Sequence, residues 1–418
     1  MLTGTKCLEF FRLLFCLRSM LVLALLLPND AALGQSQISP NPNPVENVIT
    51  LQHGQQWYNH LHFENHGWIV NHGQLENNAY LHDTGYIANT GVLLNRDSLI
   101  SEGSLGIYNH FFSIISNNGL LESNWLASNG VVSNQGVMRN RLGKIENYRH
   151  LENSGTLENS GLLRNFENGN LTNTNLIDNR GTLENAGLLE NTGTINSANV
   201  LNNVGTGKIN NYGHLDLAGV TRNESQLYNY DRLDNAGTLT NVVYLHTQGS
   251  LVNDGTIENY GNFENTGTMH NRNFIYNSGS GRIDNHLLLV NSGSIQTDTW
   301  LQNTGTLNNS GTIINYGTME LRGDIGEHTL NNSGTITNHG SLINDGILIN
   351  NGVLENYGTL INNGTLDGDG VVLGNLQDSG ALAPGNSAGV FTINGNLLKT
   401  SGTIQIELGG AFDGGLDK

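Results

Sequence analysis

From Asn59 onward an aliphatic residue and an asparagine recur two positions apart, and the pair itself recurs every six residues. The stretch from Gly181 reads GTLENA GLLENT GTINSA, and that from Gly334 reads GTITNH GSLIND GILINN GVLENY GTLINN GTLDGD, with the consensus G-T-[LI]-x-N-x. A separation of two puts the aliphatic side chain and the Asn on one side of an extended strand, and Thr and x on the other. Six is not a helical period, and a Gly in every unit would cost a helix about 1 kcal/mol each relative to Ala. Each unit therefore predicts a four-residue strand followed by a glycine bend.

One such unit cannot bury its Leu or Ile alone, but units stacked along an axis bury a continuous apolar column. Inward Asn side chains can then hydrogen-bond the Asn above and below as amide ladders, which satisfies groups that would otherwise be buried without partners. The predicted fold is all-β, a parallel β-solenoid (β-helix) of about 50 six-residue repeats. The Asn position runs through Asn59, Asn65, Asn71, Asn77, Asp83, Asn89 and Asn95 without a slip and reaches Asn362 after scattered insertions. Two-residue insertions separate Asn165 from Asn173, Asn203 from Asn211 and Asn277 from Asn285, and a larger one lies between Leu321 and Asn332. Three units per turn give an 18-residue triangular coil and two give a flatter 12-residue coil; the insertions fit either. The rod would be roughly 80 Å or 125 Å long at the sheet spacing. The expected domains are a signal peptide over 1–34, a linker and N-terminal cap over 35–58 carrying Trp57 and Tyr58, the hexad array over 59–368, and a different C-terminal β segment over 369–418.

Composition agrees with one turn repeated many times. Of 418 residues 54 are Gly and 65 Asn, only 5 are Pro, and 13% are charged. A net charge of -18 excludes a phosphate-binding footprint, so nucleic acid is not an expected partner. At the N-terminus, Lys6, Arg12 and Arg18 precede an apolar run from Met20 to Leu27 and the small residues Ala32-Leu33-Gly34. That layout is a secretory signal peptide cut after Gly34, too short in its apolar part to span a bilayer. Cys7 and Cys16 both lie in it, so the exported chain is expected to be free of disulfides.

After Asp369 the hexad fades. Leu382-Ala383-Pro384-Gly385-Asn386-Ser387-Ala388-Gly389, followed by Val390-Phe391-Thr392-Ile393-Asn394-Gly395-Asn396, resembles the L-x-P-G-N-S-x-G-x-x-x-[IV]-x-G-N signature of bacterial autotransporter passenger domains and related filamentous-adhesin β-helix proteins. The motif itself reads as a coil corner, with Pro384 fixing one φ, Gly385 free to take φ > 0, and Asn386 and Ser387 able to bond a tight turn. The resemblance implies an exported, surface-displayed or released rod, associated with a Gram-negative outer membrane, whose partners are glycan, host-cell or matrix surfaces and an outer-membrane translocator. A membrane β-barrel does not follow before Lys418, so the export route stays open.

Candidate chemistry follows the repeat. Glu76, Glu152, Glu158, Glu184, Glu190, Glu258, Glu264 and Glu355 occupy the outward position before Asn, where stacked carboxylates could do acid/base work or hold Ca²⁺, or simply form a solvated face. His60, His66 and His72 follow the Asn in consecutive units, with His53, His62 and His82 nearby; a 12-residue coil would stack His60 over His72. Twelve outward Thr residues (156, 182, 194, 238, 256, 268, 306, 312, 318, 335, 359 and 365) suggest an ice-binding alternative, which needs an uninterrupted Thr face. Tyr212, Tyr260, Tyr316 and Tyr357 sit in N-Y-G steps and read as corner residues. A β-helical carbohydrate-active enzyme is the other alternative, for which the insertion near Asp324, Glu327 and His328 offers little. Phosphate loops, nucleophile elbows, zinc pairs and dinucleotide fingerprints are missing from the sequence. The expectation is a non-enzymatic adhesive rod with no catalytic, cofactor or metal residues.

Overall fold

The structure is a computed structural model describing residues 36–405 apart from 38, 105, 323–327 and 386–388. The predicted signal peptide, Asp324, Glu327 and Asn386-Ser387-Ala388 of the C-terminal motif lie outside the described residues. All the regular structure described is β-strand, in four-residue pieces such as Thr156–Asn159, Thr182–Asn185 and Thr256–Asn259. From Val48–Leu51 to Ala381–Pro384 each strand pairs in parallel with the strand three elements later: Thr156–Asn159 with Leu176–Asn179, Thr182–Asn185 with Val200–Asn203. Three hexads therefore make one turn, the 18-residue triangular coil, and the protein is a parallel β-solenoid of about 19 turns.

The coil has three faces. Face 1 carries Val48–Leu51, Trp68–Asn71 and Tyr86–Asn89, face 2 carries Gln56–Asn59 and Gln74–Asn77, and face 3 carries Phe63–Asn65 and Tyr80–Asp83. Coil pairing is already present inside the 35–58 segment, because Val48 sits opposite Trp68 and Gln56 opposite Gln74. It continues past 368 to Thr403–Ile404, which pairs with Ala381–Pro384. The limits of the hexad pattern are thus not the limits of the coil, since irregular strands can pair as long as their inward residues match.

Inside, each turn contributes three aliphatic side chains, and nearly all are fully buried, as Leu183, Leu189 and Ile195 are. Each buried Leu or Ile stabilises the coil by about 2 kcal/mol through transfer from water. The Asn side chains form the expected ladders. On face 3, Asn235, Asn253, Asn271, Asn291, Asn309 and Asn332 each donate from Nδ2 to Oδ1 of the next, at 2.7 Å, in a run that ends on Asn350. The second amide hydrogen goes around the corner to a main-chain carbonyl of the following turn, as from Asn253 to Phe274 O at 3.0 Å.

The insertions have places. Two extra residues occur after Leu51, Ser101, Asn109, Asn165, Asn203 and Asn277, and all of these except the one after Ser101 lie at the corner between faces 1 and 2. The larger insertion, 322–328, lies between faces 2 and 3. In the C-terminal motif, Leu382 is buried, Pro384 ends its strand and Gly385 has φ +45°.

Candidate functional site

The corner between faces 3 and 1 holds two residues in most turns, and besides the seven-residue step 385–391 near the C-terminal end one stretch of three successive turns departs from this. Residues 102–105, four in number, join Ser98–Ser101 to Gly106–Asn109; Asn124 alone joins Leu120–Ser123 to Trp125–Ser128; and 141–143 join Val137–Asn140 to Lys144–Asn147. A shortened corner between two lengthened ones recesses the coil at Asn124. The result is a surface groove of about 620 Å³ lined by Ser104, Asn124, Trp125, Leu142, Lys144 and Leu162, among others.

Local sequence explains the recess. Ser123 replaces the usual Asn, and its Oγ accepts from the Trp125 N–H at 3.2 Å and donates to the Trp125 carbonyl at 2.9 Å, which closes the one-residue corner. Gly143 packs on the Asn124 carbonyl, where a Cβ would come within 1.6 Å of the oxygen. Asn124 Nδ2 donates to Glu102 O at 3.1 Å and ties the short corner to the long one before it.

Trp125 lies at the floor. Its indole Nε1–H donates to Glu146 Oε2, one turn further on, at 3.1 Å, and the Tyr148 hydroxyl reaches the same oxygen at 3.5 Å. Ala127 points outward on the same strand but is only 3% exposed, which an indole laid across the sheet toward Glu146 accounts for. In the preceding turn the residue in register beside Trp125 is Gly106 (φ +62°), which carries no side chain of its own. Leu142, 88% exposed, forms a wall. The groove therefore brings an indole together with the amide of Asn124, the hydroxyl of Ser104 and the ammonium of Lys144. Nearby, Arg164 is engaged by Glu184 at 2.9 Å and lies over the Phe166 ring. An exposed pair, Phe111 and Phe112, projects at the neighbouring corner with Arg149 over both rings at 5.5 and 5.2 Å.

The residues singled out in the sequence are distributed differently. The eight Glu fall on all three faces, and none lies in register beside another of the eight; Glu184, for example, stands between Arg164 and Asn202. Glu158 does neighbour Asp178, and Glu264 neighbours Asp284, but Arg139 and Arg282 respectively pair with Glu158 and Asp284. The 18-residue turn spreads His60, His66 and His72 over three different corners, where His66 and His72 bond Thr84 and Thr90 at 2.7 and 2.6 Å. His62 and His82 do come together with acids: His62 Nε2 and His82 Nδ1 meet the two oxygens of Glu64 at 2.5 and 2.8 Å, and His82 Nε2 meets Glu102 at 3.3 Å. Burial works to lower the His82 pKa, but the bonds to Glu64 and Glu102 outweigh it and hold the imidazole above its ordinary value. These groups form a chain rather than a cage, and no cluster able to hold a metal ion occurs among the described residues.

Among the twelve Thr, only Thr238 with Thr256 and Thr312 with Thr335 are neighbours on a face; Val220 and Phe274 end the first pair, Ser294 and Val353 the second. The tyrosines are at corners. Tyr212 stacks on Tyr230 with ring centres 4.6 Å apart, and Tyr316, His339 and Tyr357 form a column at 4.8 and 5.1 Å. His328 is buried at the end of the large insertion. The groove itself escaped the sequence reading, although a signal for it exists: the step from Ser123 to Ser128 is five residues where the pattern demands six. Compared with protein-family models, curated proteins and solved structures, the chain matches none.

Proposed function

We propose that the chain is an exported, non-enzymatic structural rod, displayed on or released from the cell surface and adhesive toward glycan, cell or matrix surfaces, similar to an autotransporter passenger. The observation that carries this reading is the contrast between inside and outside. The interior repeats the same aliphatic and Asn chemistry from turn to turn, as a rod requires, while the outward positions vary from turn to turn, as a surface selected for contact does. The LAPGNSAG motif at the C-terminal end of the coil and the basic and apolar order of residues 1–34 support export. Dispersed carboxylates, most of them beside Arg, Thr or Asn, support a binding surface over a hydrolytic one.

The test is direct. Residues 35–418, purified and fluorescently labelled, are expected to bind at least one class among cultured cells, immobilised matrix proteins and a glycan array, and surface labelling of intact producing cells is expected to reach the chain. Failure to bind any of the three would remove the adhesive part of the reading, and a chain protected from surface labelling and absent from the medium would remove export.

A further inference from the structure

We infer that the recess at Trp125 is a saccharide subsite for an acidic pyranose, a sugar ring bearing a carboxylate. The inference rests on the adhesive reading above and assigns it a place and a ligand class. Trp125 on face 1 is tied to the next turn by its bond to Glu146, and its register neighbour in the preceding turn is Gly106, which has no side chain. A tethered, partly exposed indole offers apolar ring surface to the axial C–H groups of a sugar ring at little entropic cost, because its Nε1–H is already bonded. Asn124 and Ser104, both exposed at the rim, supply a carbonyl, an amide and a hydroxyl for ring hydroxyl groups.

The charge follows from which cations are already committed. Six of the chain's 18 Lys and Arg lie between 139 and 180 against five Asp and Glu, so this section is close to neutral on an otherwise acidic rod. Arg139 and Arg141 pair with Glu122, Arg164 with Glu184 and Arg180 with Asp178, and Arg149 lies over Phe111 and Phe112. Lys144 is the cation left in the groove: it is exposed, stands next to Trp125 in register, and has no carboxylate partner among the described residues. An ammonium beside an aromatic platform selects a sugar that carries a negative charge over a neutral one of the same shape.

The experiment is calorimetric titration of residues 35–418 with a short oligomer of a hexuronic acid and with a neutral hexose oligomer of equal length. The acidic oligomer is expected to bind more tightly, and more so at low salt. Trp125→Ala should weaken its binding about tenfold, the scale of a central aromatic anchor. Lys144→Gln should weaken it by about fivefold and abolish the preference over the neutral oligomer. Tyr357→Ala, on a distant corner, should change neither. Equal affinity for the two oligomers, or an unchanged Lys144→Gln protein, would overturn the assignment of an acidic ligand; Lys144 is fully outward, so this arm does not depend on the Trp125 variant folding. Cell or matrix binding that survives Trp125→Ala undiminished would overturn the groove as the adhesive site while leaving the adhesive reading intact.

Discussion

Asn253 shows how one residue type solves two problems at once. Its Oδ1 accepts from Asn235 and its Nδ2 donates to Asn271 and to the Phe274 carbonyl, so a buried amide is satisfied by copies of itself. Where the ladder meets another residue type, chemistry changes. On face 2 it ends in a charged pair: Asn362 donates to Asp378 Oδ1 at 2.6 Å, and the Lys399 ammonium meets the other carboxylate oxygen. On face 3 Asp83 takes an Asn place, with no solvent exposure, and burial raises its pKa from 3.8 to about 6 despite bonds from Asn65, Ser101 and the Gly85 N–H. A raised carboxyl pKa means that the folded chain holds a proton which the unfolded chain has released between those values. The favourable contribution is therefore complete below about pH 4 and is lost as pH rises through about 6, at a cost of up to about 3 kcal/mol above it. Asp83→Asn should remove that dependence. Amide hydrogen exchange, corrected for intrinsic rates, should find residues 80–109 better protected in the variant at about pH 7.5 and equally protected at about pH 4; greater wild-type protection at the higher pH would reverse the assigned sign.

At the scale of strand and corner, the glycine of each hexad is explained more by crowding than by unusual dihedrals. At Gly293 an added Cβ would lie 2.1 Å from the Asn273 carbonyl of the turn before, and at Gly305 and Gly317 it would lie 2.3 and 2.0 Å from those of Leu287 and Thr299. Where a side chain does occupy the corner, as at Asn273, Leu287 and Thr299, the residues above and below are Gly: 255 and 293, 267 and 305, 281 and 317. Gly293→Ala should thus destabilise its own turn by about 2 kcal/mol through overpacking, seen as faster amide exchange over residues 271–315 while distant turns keep wild-type rates. Equal protection across those turns would mean that the corner yields without strain. The regular strand was legible in the hexad because a period of two inside a period of six admits one alternation of faces. The five two-residue insertions sharing one corner were not legible, because only the pairing of each strand with the third following it assigns an insertion to a side.

For the whole molecule, stability is a sum over neighbouring turns, since among the described residues no strand pairs beyond the turns above and below it. About 19 turns at ~4.8 Å give a coil of roughly 90 Å, which small-angle scattering or electron microscopy of residues 35–418 should measure; a length near 125 Å would contradict the triangular turn. Shortening the chain to residues 35–368 should remove only the last turns, with the β-type circular dichroism per residue unchanged and the length reduced by about 10 Å. Loss of structure throughout would show that the C-terminal segment nucleates the rod. By itself the sequence determined that this chain is a parallel solenoid with an aliphatic and Asn interior, because the same face-sharing pair recurs without regard to what lies far away. Only the tertiary structure decided the number of units per turn, and with it every relation along the axis. Which His, Thr and Glu are neighbours, where insertions gather, and that a five-residue step at Ser123 opens a groove over Trp125 all depend on contacts 16 to 26 residues apart, a distance over which the local pattern carries no information.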